Sequence, residues 1–172
     1  MDFWTLIDER RSIRKFTSQD VSADDEDRLL KAANSAPSAG DLQGYGIFSI
    51  REPKTKDRLA AAAWGQNFVA SAPLVLVFYA DTRRSATRYA ERGIKLYSIQ
   101  DATIAATFVH LAATSLGIGS VWTGAFKTDE VREILALPPV KIPVVILPVG
   151  HPLEKPRKTP RRELEDLVTK IP

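Results

Sequence analysis

The segment Arg10–Lys15 has the residue types that bind an anion. It reads Arg-Arg-Ser-Ile-Arg-Lys, so four cationic side chains and one hydroxyl lie within six residues. A guanidinium group can hold phosphate oxygens through two parallel hydrogen bonds, and a phosphate on a bound cofactor is therefore the simplest partner for this cluster. The alternative is a solvated helix end, where cations favour the negative pole of the helix dipole.

A second basic segment, Lys155–Arg162, lies near the opposite end of the chain. It could complete the same phosphate site, or it could be a solvated tail. The net charge of +3, concentrated in patches, also keeps nucleic-acid binding among the alternatives. No zinc-finger, helix-turn-helix or RNP pattern in the sequence supports that alternative.

Two further segments could approach a flat ligand. Ala36–Gln43 is rich in small residues, which let the backbone come close to a ring, and Gln43 offers a donor and an acceptor to a heterocycle. Trp122–Phe126 follows a predicted strand, and Gly124 could present a bare N–H group to a ligand atom. An ordinary helix-to-strand loop and a strand-ending turn are the structural alternatives.

The composition limits the chemistry that the chain can perform. With 172 residues, 44% of them hydrophobic, residues 1–172 have the size of one domain with its own core. The absence of cysteine excludes disulfides, iron–sulfur clusters, thiolate zinc sites and thiol nucleophiles. The two histidines lack the spacing of a metal site, so no bound metal is expected. No secretory leader or membrane span is visible, and we expect a cytoplasmic protein.

Capping residues and hydrophobic periodicity predict mixed helices and strands, which places the fold in the α+β or three-layer α/β class. Asp2, Ser22 and Thr128 are the predicted N-caps of three helices. The predicted helices cover residues 3–10, 23–34, 54–64, 83–93, 96–116 and 129–135. The predicted strands cover 45–51, 74–80 and 144–149, and residues 119–125 are predicted to form a short strand followed by a turn.

Two expectations concern prolines. Pro148 cannot donate to a strand ladder, so we expect a sheet edge or a bulge at this position. Thr159-Pro160 can cap and start a last short helix, which would run through Lys170.

The predicted helix over residues 96–116 is apolar on nearly all its sides. Such a helix must be covered almost completely, which one small domain struggles to do. We therefore expect it to pack both in the core and against a partner subunit. His110, which lies on this helix, is expected to be a hydrogen-bonded group of the core or the interface.

Five segments of the chain, taken in order, resemble the FMN-dependent nitroreductase family in its shorter form. Arg10–Phe16 comes first, followed by the Ala36–Gln43 loop and by Ala72-Pro73 before a strand. Leu116–Phe126 and Leu147–Pro152 complete the set, and the second basic segment follows them. Each motif alone is weak, but together, at family spacing, they cover essentially the whole chain.

The resemblance implies an α+β fold, a three-layer sandwich in which helices flank a central, mostly antiparallel sheet. It implies an intimate homodimer with two FMN sites at the interface, and no membrane or nucleic-acid partner. The implied activity is that of an NAD(P)H oxidoreductase with ping-pong turnover, in which NADH or NADPH reduces FMN and leaves. A small-molecule acceptor, such as a nitroaromatic or a quinone, then takes its place. The cofactor carries this chemistry, so no catalytic side chain is expected.

The resemblance also implies which residues contact the FMN phosphate and ribityl chain. These residues are Arg10, Arg11, Ser12, Arg14 and, near the C-terminus, Arg161. Lys158 or Arg162 could take the role of Arg161 instead.

Further matches surround the isoalloxazine ring. Thr123 and Gly124 match the turn whose backbone N–H faces flavin N5, and Gln66 falls near a position that often contacts the flavin. The residues that match the loop laid near the ring by the other subunit are Pro37, Ser38, Ala39 and Gln43.

The sequence departs from the family pattern near the ring. Asp41 stands where asparagine is common, Gly44-Tyr45 replaces the frequent Pro-Trp, and the covering segment around residues 82–97 is short. These departures leave the acceptor open. The alternatives are a specialised flavin enzyme, a flavin-binding sensor or interaction protein without efficient turnover, and a nucleic-acid-binding protein whose affinity would depend steeply on salt.

Overall fold

The computed structural model describes residues 1–171, in which helices cover both faces of one four-stranded sheet. The spatial order of the strands is β1-β2-β4-β3, and all three pairings are antiparallel. The α+β class and the antiparallel sheet are therefore confirmed. The strands are β1 (Tyr45–Ile50), β2 (Leu74–Asp81), β3 (Gly119–Ser120) and β4 (Lys141–Gly150).

The predicted N-caps of the first two helices are confirmed. The Asp2 carboxylate accepts from the Trp4 amide at 3.0 Å, and the Ser22 hydroxyl accepts from the Asp25 amide at 3.1 Å. Both bonds satisfy N–H groups that have no partner inside the helix. The helices are α1 (Phe3–Glu9), α2 (Ala23–Asn34), α3 (Pro53–Ala62), α4 (Asn67–Ser71), α5 (Thr82–Arg92), α6 (Ser98–Ser115) and α7 (Thr128–Ile134).

Strand β2 separates two hydrophobic cores. Leu76 and Phe78 face one core, which the sheet shares with α2 and α6. Val75 and Val77 face the other, which is shared with α3, α4 and α7. Because successive strand residues point to opposite faces, a continuous apolar run is what a strand buried on both faces requires. The result is the predicted three-layer arrangement.

Helix α6 is only partly covered by its own chain. Its buried positions, such as Ala105 and Val109, face the sheet and α2, whereas Phe108 is 37% exposed. Helix α1, which packs against α6, has no buried residue, and Trp4 on it is 77% exposed. The apolar surface of these two helices is therefore available to another molecule.

Two predicted helix features are wrong. Thr128 is the first residue of α7, and Lys127 holds the N-cap position, where its ammonium donates to Glu130 at 2.7 Å. The helix predicted over residues 160–170 is reduced to a 3₁₀ turn at Leu164–Asp166. Residues 157–171 are exposed, so this segment lacks the packing surface on which a short helix depends.

The expectation for Pro148 is also wrong, because β4 lies inside the sheet and the irregular register falls between Phe78 and Tyr79 of β2. The Pro148 carbonyl accepts from the Val121 amide at 3.3 Å, so the proline nitrogen faces the side of β3. Strand β3 has already ended at Ser120, so the missing N–H group of Pro148 interrupts no hydrogen bond between β3 and β4.

No helix within residues 1–171 combines the length and the apolarity needed to cross a membrane.

Candidate functional site

The backbone places the first basic segment between β3 and the C-terminal segment. Ser12 forms a parallel bridge with Ser120, and Phe16 forms an antiparallel bridge with Pro152. These pairings are long-range, so they depend on the assembled sheet. They bring the two basic segments of the sequence to the same edge of the molecule.

Two carboxylates fasten the basic segments to their surroundings. The Glu154 carboxylate accepts from the amides of Arg14 at 2.7 Å and Lys15 at 3.1 Å. The ammonium of Lys158 forms an ion pair with Asp8 on α1. Glu154 was not predicted as a site residue, although a carboxylate directly before a basic segment is a usable signal.

A cavity of about 590 Å³ lies between α1 and the two basic segments. All five residues predicted to contact the phosphate and ribityl chain line it. Of the alternatives to Arg161, Lys158 lines it but is paired with Asp8, and Arg162 is not among the lining residues. The cavity is lined by Trp4, Ile7, Asp8, Arg10, Arg11, Ser12, Arg14, Pro156, Arg157, Lys158, Thr159 and Arg161.

The cavity concentrates positive charge. Partial burial lowers the pKa of Arg10, and the neighbouring charges of Arg161 and Arg11 lower it further. An arginine stays protonated in proteins, so these cations repel one another and a bound anion would relieve the repulsion. Asp8, the only carboxylate among the lining residues of the described chain, already pairs with Lys158.

His110 supports Arg10 from behind the cavity. Its Nε2 lies 3.1 Å from Arg10 Nη1, and its Nδ1 lies 2.5 Å from the Ser120 hydroxyl. Burial and the charge of Arg10 lower the pKa of His110 to about 4, so the imidazole is neutral near pH 7. The arrangement requires Nε2 to accept from Arg10, which leaves the proton on Nδ1 for Ser120. In the described part of the chain, no group of three or more acidic or histidine side chains could hold a metal.

The predicted turn is assembled together with Gln66. The Thr123 amide donates to the Ile146 carbonyl at 3.0 Å, so it is not free for a ligand. The next amide, that of exposed Gly124, has no partner within residues 1–171. The Gln66 side chain donates to the Ala125 carbonyl at 3.1 Å and thereby fixes the turn.

Helix α6 holds the predicted ring-contacting loop through a buried carboxylate. Asp101 is 2% exposed and accepts from the amides of Ala39 at 2.9 Å and Gly44 at 3.0 Å. Within the loop, the Ser38 hydroxyl accepts from the Gln43 amide at 2.9 Å. This role of Asp101 was not predicted from the sequence. A carboxylate on an otherwise apolar helix could have indicated it, because a buried charge must be paired or hydrogen-bonded.

One chain does not bring this loop to the cavity. None of Pro37, Ser38, Ala39 and Gln43 lines the cavity. Asp101 and His110, which contact the loop and the cavity respectively, lie nine residues apart on α6, or about 13 Å along the helix axis. Gln66, Thr123 and Gly124 do not line the cavity either. Their turn follows β3, which Ser12 bridges through Ser120, so the structure gathers the phosphate residues around one cavity and places the turn with Gln66 further along the same edge of the chain.

A sequence model of the nitroreductase family matches residues 7–88 and 63–151 of the chain. A Bacillus subtilis protein named FMN reductase (NADPH) is 33% identical over 164 residues, which cover 88% of this chain. The same alignment covers 66% of the relative, so the chain spans just under two thirds of that protein's length.

Solved structures share the whole fold. The NADPH:FMN oxidoreductase of Vibrio harveyi, solved with NAD⁺, superposes with a TM-score of 0.90 at 30% identity and covers 97% of this chain and 76% of that one. A nitroreductase family protein of Streptococcus pneumoniae superposes with a TM-score of 0.89 at 26% identity and covers 99% of this chain and 100% of that one.

Proposed function

The chain belongs to the nitroreductase family, and on that premise we propose that it is an FMN-dependent NAD(P)H oxidoreductase. The names of its relatives, FMN reductase (NADPH) and NADPH:FMN oxidoreductase, support this class of activity. NADH or NADPH is the electron donor, and a nitroaromatic, a quinone or a similar small molecule is the acceptor. Donor and acceptor use one site in turn.

The basic cavity is the observation that carries the proposal. Arginines from both ends of the sequence converge on it, and they repel one another in the absence of an anion. The FMN phosphate is dianionic near neutral pH, and each charge-assisted hydrogen bond to it is worth roughly 1.5–3 kcal/mol. Several such bonds are enough to retain the cofactor, so the residues present fit the group.

The side chains of the cavity would hold the phosphate and the ribityl chain. Arg10, whose orientation is fixed by neutral His110, presents its charge to the cavity together with Arg14. Arg161 closes the cavity from the C-terminal segment, and it is free of the ion pair that engages Lys158. Arg11 and Ser12 line the same cavity.

The turn at residues 123–125 would meet the ring. Gly124 offers the free amide of this turn, Thr123 anchors the turn to β4, and Gln66 clamps it from the other side. When bound, FMN supplies the redox chemistry by accepting and releasing two electrons and a proton. The chain's residues bind and orient it, and none of them is proposed to act as a nucleophile or as a general acid or base.

The loop that carries Pro37, Ser38, Ala39 and Gln43 requires a second copy of the chain. Asp101 and the Ser38 hydroxyl hold it through three hydrogen bonds, yet it lies away from the cavity of its own chain. We propose a homodimer through α1 and α6, in which each loop covers the flavin of the other subunit. The exposed apolar surface of these helices supports this interface.

We further propose that residues 1–172 act as one FMN-binding domain. The two cores share a single sheet, which supports one cooperative unit. Because NAD(P)H is the proposed donor, we place the protein in the cytoplasm, where this nucleotide is available.

The visible absorption spectrum of the purified protein tests the proposal. Flavin bands are expected, and they should bleach when NADH or NADPH is added anaerobically and return when a quinone or a nitroaromatic follows. Bands that never bleach would favour a flavin-binding sensor. A spectrum without flavin bands, even after incubation with FMN, would contradict the site and direct the next test to nucleic-acid binding at varied salt.

A further inference from the structure

Helix α5 presents arginines that no carboxylate neutralises. Arg83, Arg84, Arg88 and Arg92 are all exposed. None of the ion pairs formed within residues 1–171 includes any of them, and Glu91, the acidic residue of this helix, pairs with Lys95 at 2.5 Å. Asp81 caps the helix through the Arg84 amide and does not pair with a guanidinium. The helix therefore carries four arginines that form no ion pair within residues 1–171, with Asp81 lining the same pocket as Arg84.

Two of these arginines are fastened to the loop that carries the proposed ring contacts. The Arg84 side chain donates through Nε to the Leu42 carbonyl, and Arg88 Nη1 lies 3.5 Å from the Gly40 carbonyl. Gly40 permits this approach, since a Cβ atom there would lie 2.5 Å from the Tyr89 hydroxyl. Each guanidinium has five N–H donors, so most donors of both side chains remain available to a ligand.

Aromatic side chains support these arginines. The ring centroids of Tyr89 and Tyr97 lie 4.9 Å apart in an edge-to-face arrangement. The Arg88 guanidinium lies 5.6 Å from the Tyr89 ring centroid, and Arg92 donates to the Tyr97 hydroxyl at 2.8 Å. A guanidinium that rests against a ring is held in place, and its outer edge can grip phosphate oxygens bidentately.

We propose that Arg84 and Arg88 bind the 2′-phosphate of NADPH, so that the protein uses NADPH in preference to NADH. This inference rests on the proposed function, in which the loop beside these arginines covers the flavin of the partner subunit. NADPH differs from NADH only by this phosphate, so a protein that discriminates needs cations at the rim of the flavin site. The arginines of the cavity hold the FMN phosphate, whereas α5 lies beside the loop and has no other assigned ligand.

The double variant Arg84→Gln, Arg88→Gln tests the inference. Glutamine keeps an amide that can donate to the loop carbonyls but removes the charge. With FMN bound, the KM for NADPH should rise roughly 10- to 100-fold, as expected for the loss of charge-assisted hydrogen bonds. The KM for NADH and the kcat with saturating NADPH should change little. Arg28→Ala, which removes an exposed arginine that pairs with Asp25 on α2, is the matched control.

Two measurements separate this inference from the proposed function. Adenosine 2′,5′-bisphosphate should bind the parent, as measured by calorimetry, and bind the double variant at least tenfold more weakly. If both nucleotides reduce the flavin and their KM ratio is the same in parent and variant, the inference is overturned and the proposed function stands. If neither nucleotide reduces the flavin, the proposed function fails, and equal binding of the bisphosphate to both proteins would overturn the inference as well.

Discussion

Arg14 can be truncated at its side chain without loss of the hydrogen bond that anchors its backbone. Its amide is held by Glu154, and its guanidinium lies 5.8 Å from the Phe68 ring centroid, so truncation leaves the segment anchored. Arg14→Ala should raise the Kd for FMN by roughly 10- to 100-fold, because it removes charge-assisted hydrogen bonds to the phosphate. Fluorescence titration of the apoprotein measures this change.

The control for Arg14→Ala is Arg28→Ala, which removes an exposed cation far from the cavity in sequence and paired on α2. Both variants should keep the parent's melting temperature in the absence of FMN. An unchanged Kd in Arg14→Ala would contradict the assignment of this arginine to the phosphate.

His110 should make the stability of the protein depend on pH. Its pKa is depressed to about 4 in the folded state, against 6.5 for an unperturbed histidine, so the unfolded chain binds a proton first as the pH falls. The stabilisation is therefore complete above pH 6.5 and is lost as the pH falls towards 4, by roughly 3 kcal/mol in all.

Urea denaturation of the parent and of His110→Gln at pH 7 and pH 4.5 measures this loss. The variant does not titrate at position 110, so the difference in unfolding free energy between the two proteins should shrink at the lower pH. A constant difference would show that His110 is not held neutral by Arg10 and its burial.

At the scale of elements, β3 packs directly against the first basic segment, Arg10–Lys15. A Cβ atom at Gly119 would lie 2.8 Å from Ile13 Cβ, closer than side chains tolerate, and Ile13 stands between two cavity residues. Gly119→Ala should therefore displace the segment, destabilise the protein by roughly 1–3 kcal/mol and weaken FMN binding. Thermal unfolding and fluorescence titration test the two effects.

Gly117→Ala gives the comparison for this variant. Gly117 has φ +71°, and a Cβ atom added there would meet nothing within 4 Å, so alanine costs roughly 1–2 kcal/mol of backbone strain without touching the site. Its Kd for FMN should stay at the parent's value. If both glycine variants lose FMN affinity equally, the weaker binding is caused by the lower stability of the protein and not by the displacement of Ile13.

The elements that local chemistry determines could be predicted from the sequence. The caps Asp2 and Ser22 and the doubly buried strand β2 depend on neighbouring residues, and all three are confirmed. The position of Pro148 depends on where a strand from another part of the chain ends, which no local pattern reveals. The prediction of a C-terminal helix is wrong because the Thr159-Pro160 signal can start a helix, but the segment has no surface of the domain to pack on.

The candidate site likewise has features that the sequence predicts and features that only the folded chain determines. The arginines could be predicted as anion-binding residues because they cluster in two basic segments of the sequence. The structure places these residues around one cavity. Glu154 and Asp101 are acidic residues in basic and apolar surroundings, which is a signal that the sequence offers. Their partners could not be predicted, because these are backbone amides 140 and 62 residues away. Their role depends on the distance between segments, which only the folded chain fixes.

On the scale of the whole molecule, the division of the site argues for two copies of the chain. The cavity and the turn lie along one edge, and the loop held by Asp101 lies at the other end of α6. A flavin bound at the cavity can be covered by this loop only if a neighbouring chain supplies it. Helix α6, exposed at Phe108, then has the partner that its apolar composition requires.

Phe108→Glu tests the dimer. We expect the parent to sediment as a dimer and the variant to shift towards a monomer, because a carboxylate in an apolar interface would be buried without a partner. The monomer should also bind FMN more weakly, since the loop of the other subunit no longer covers the ring.

Val140→Glu makes the same change in charge at a position that is 42% exposed in the turn before β4, and it should remain a dimer with the parent's FMN affinity. If Phe108→Glu also sediments as a dimer with full FMN affinity, α6 is not the interface and the loop must reach the cavity by another arrangement.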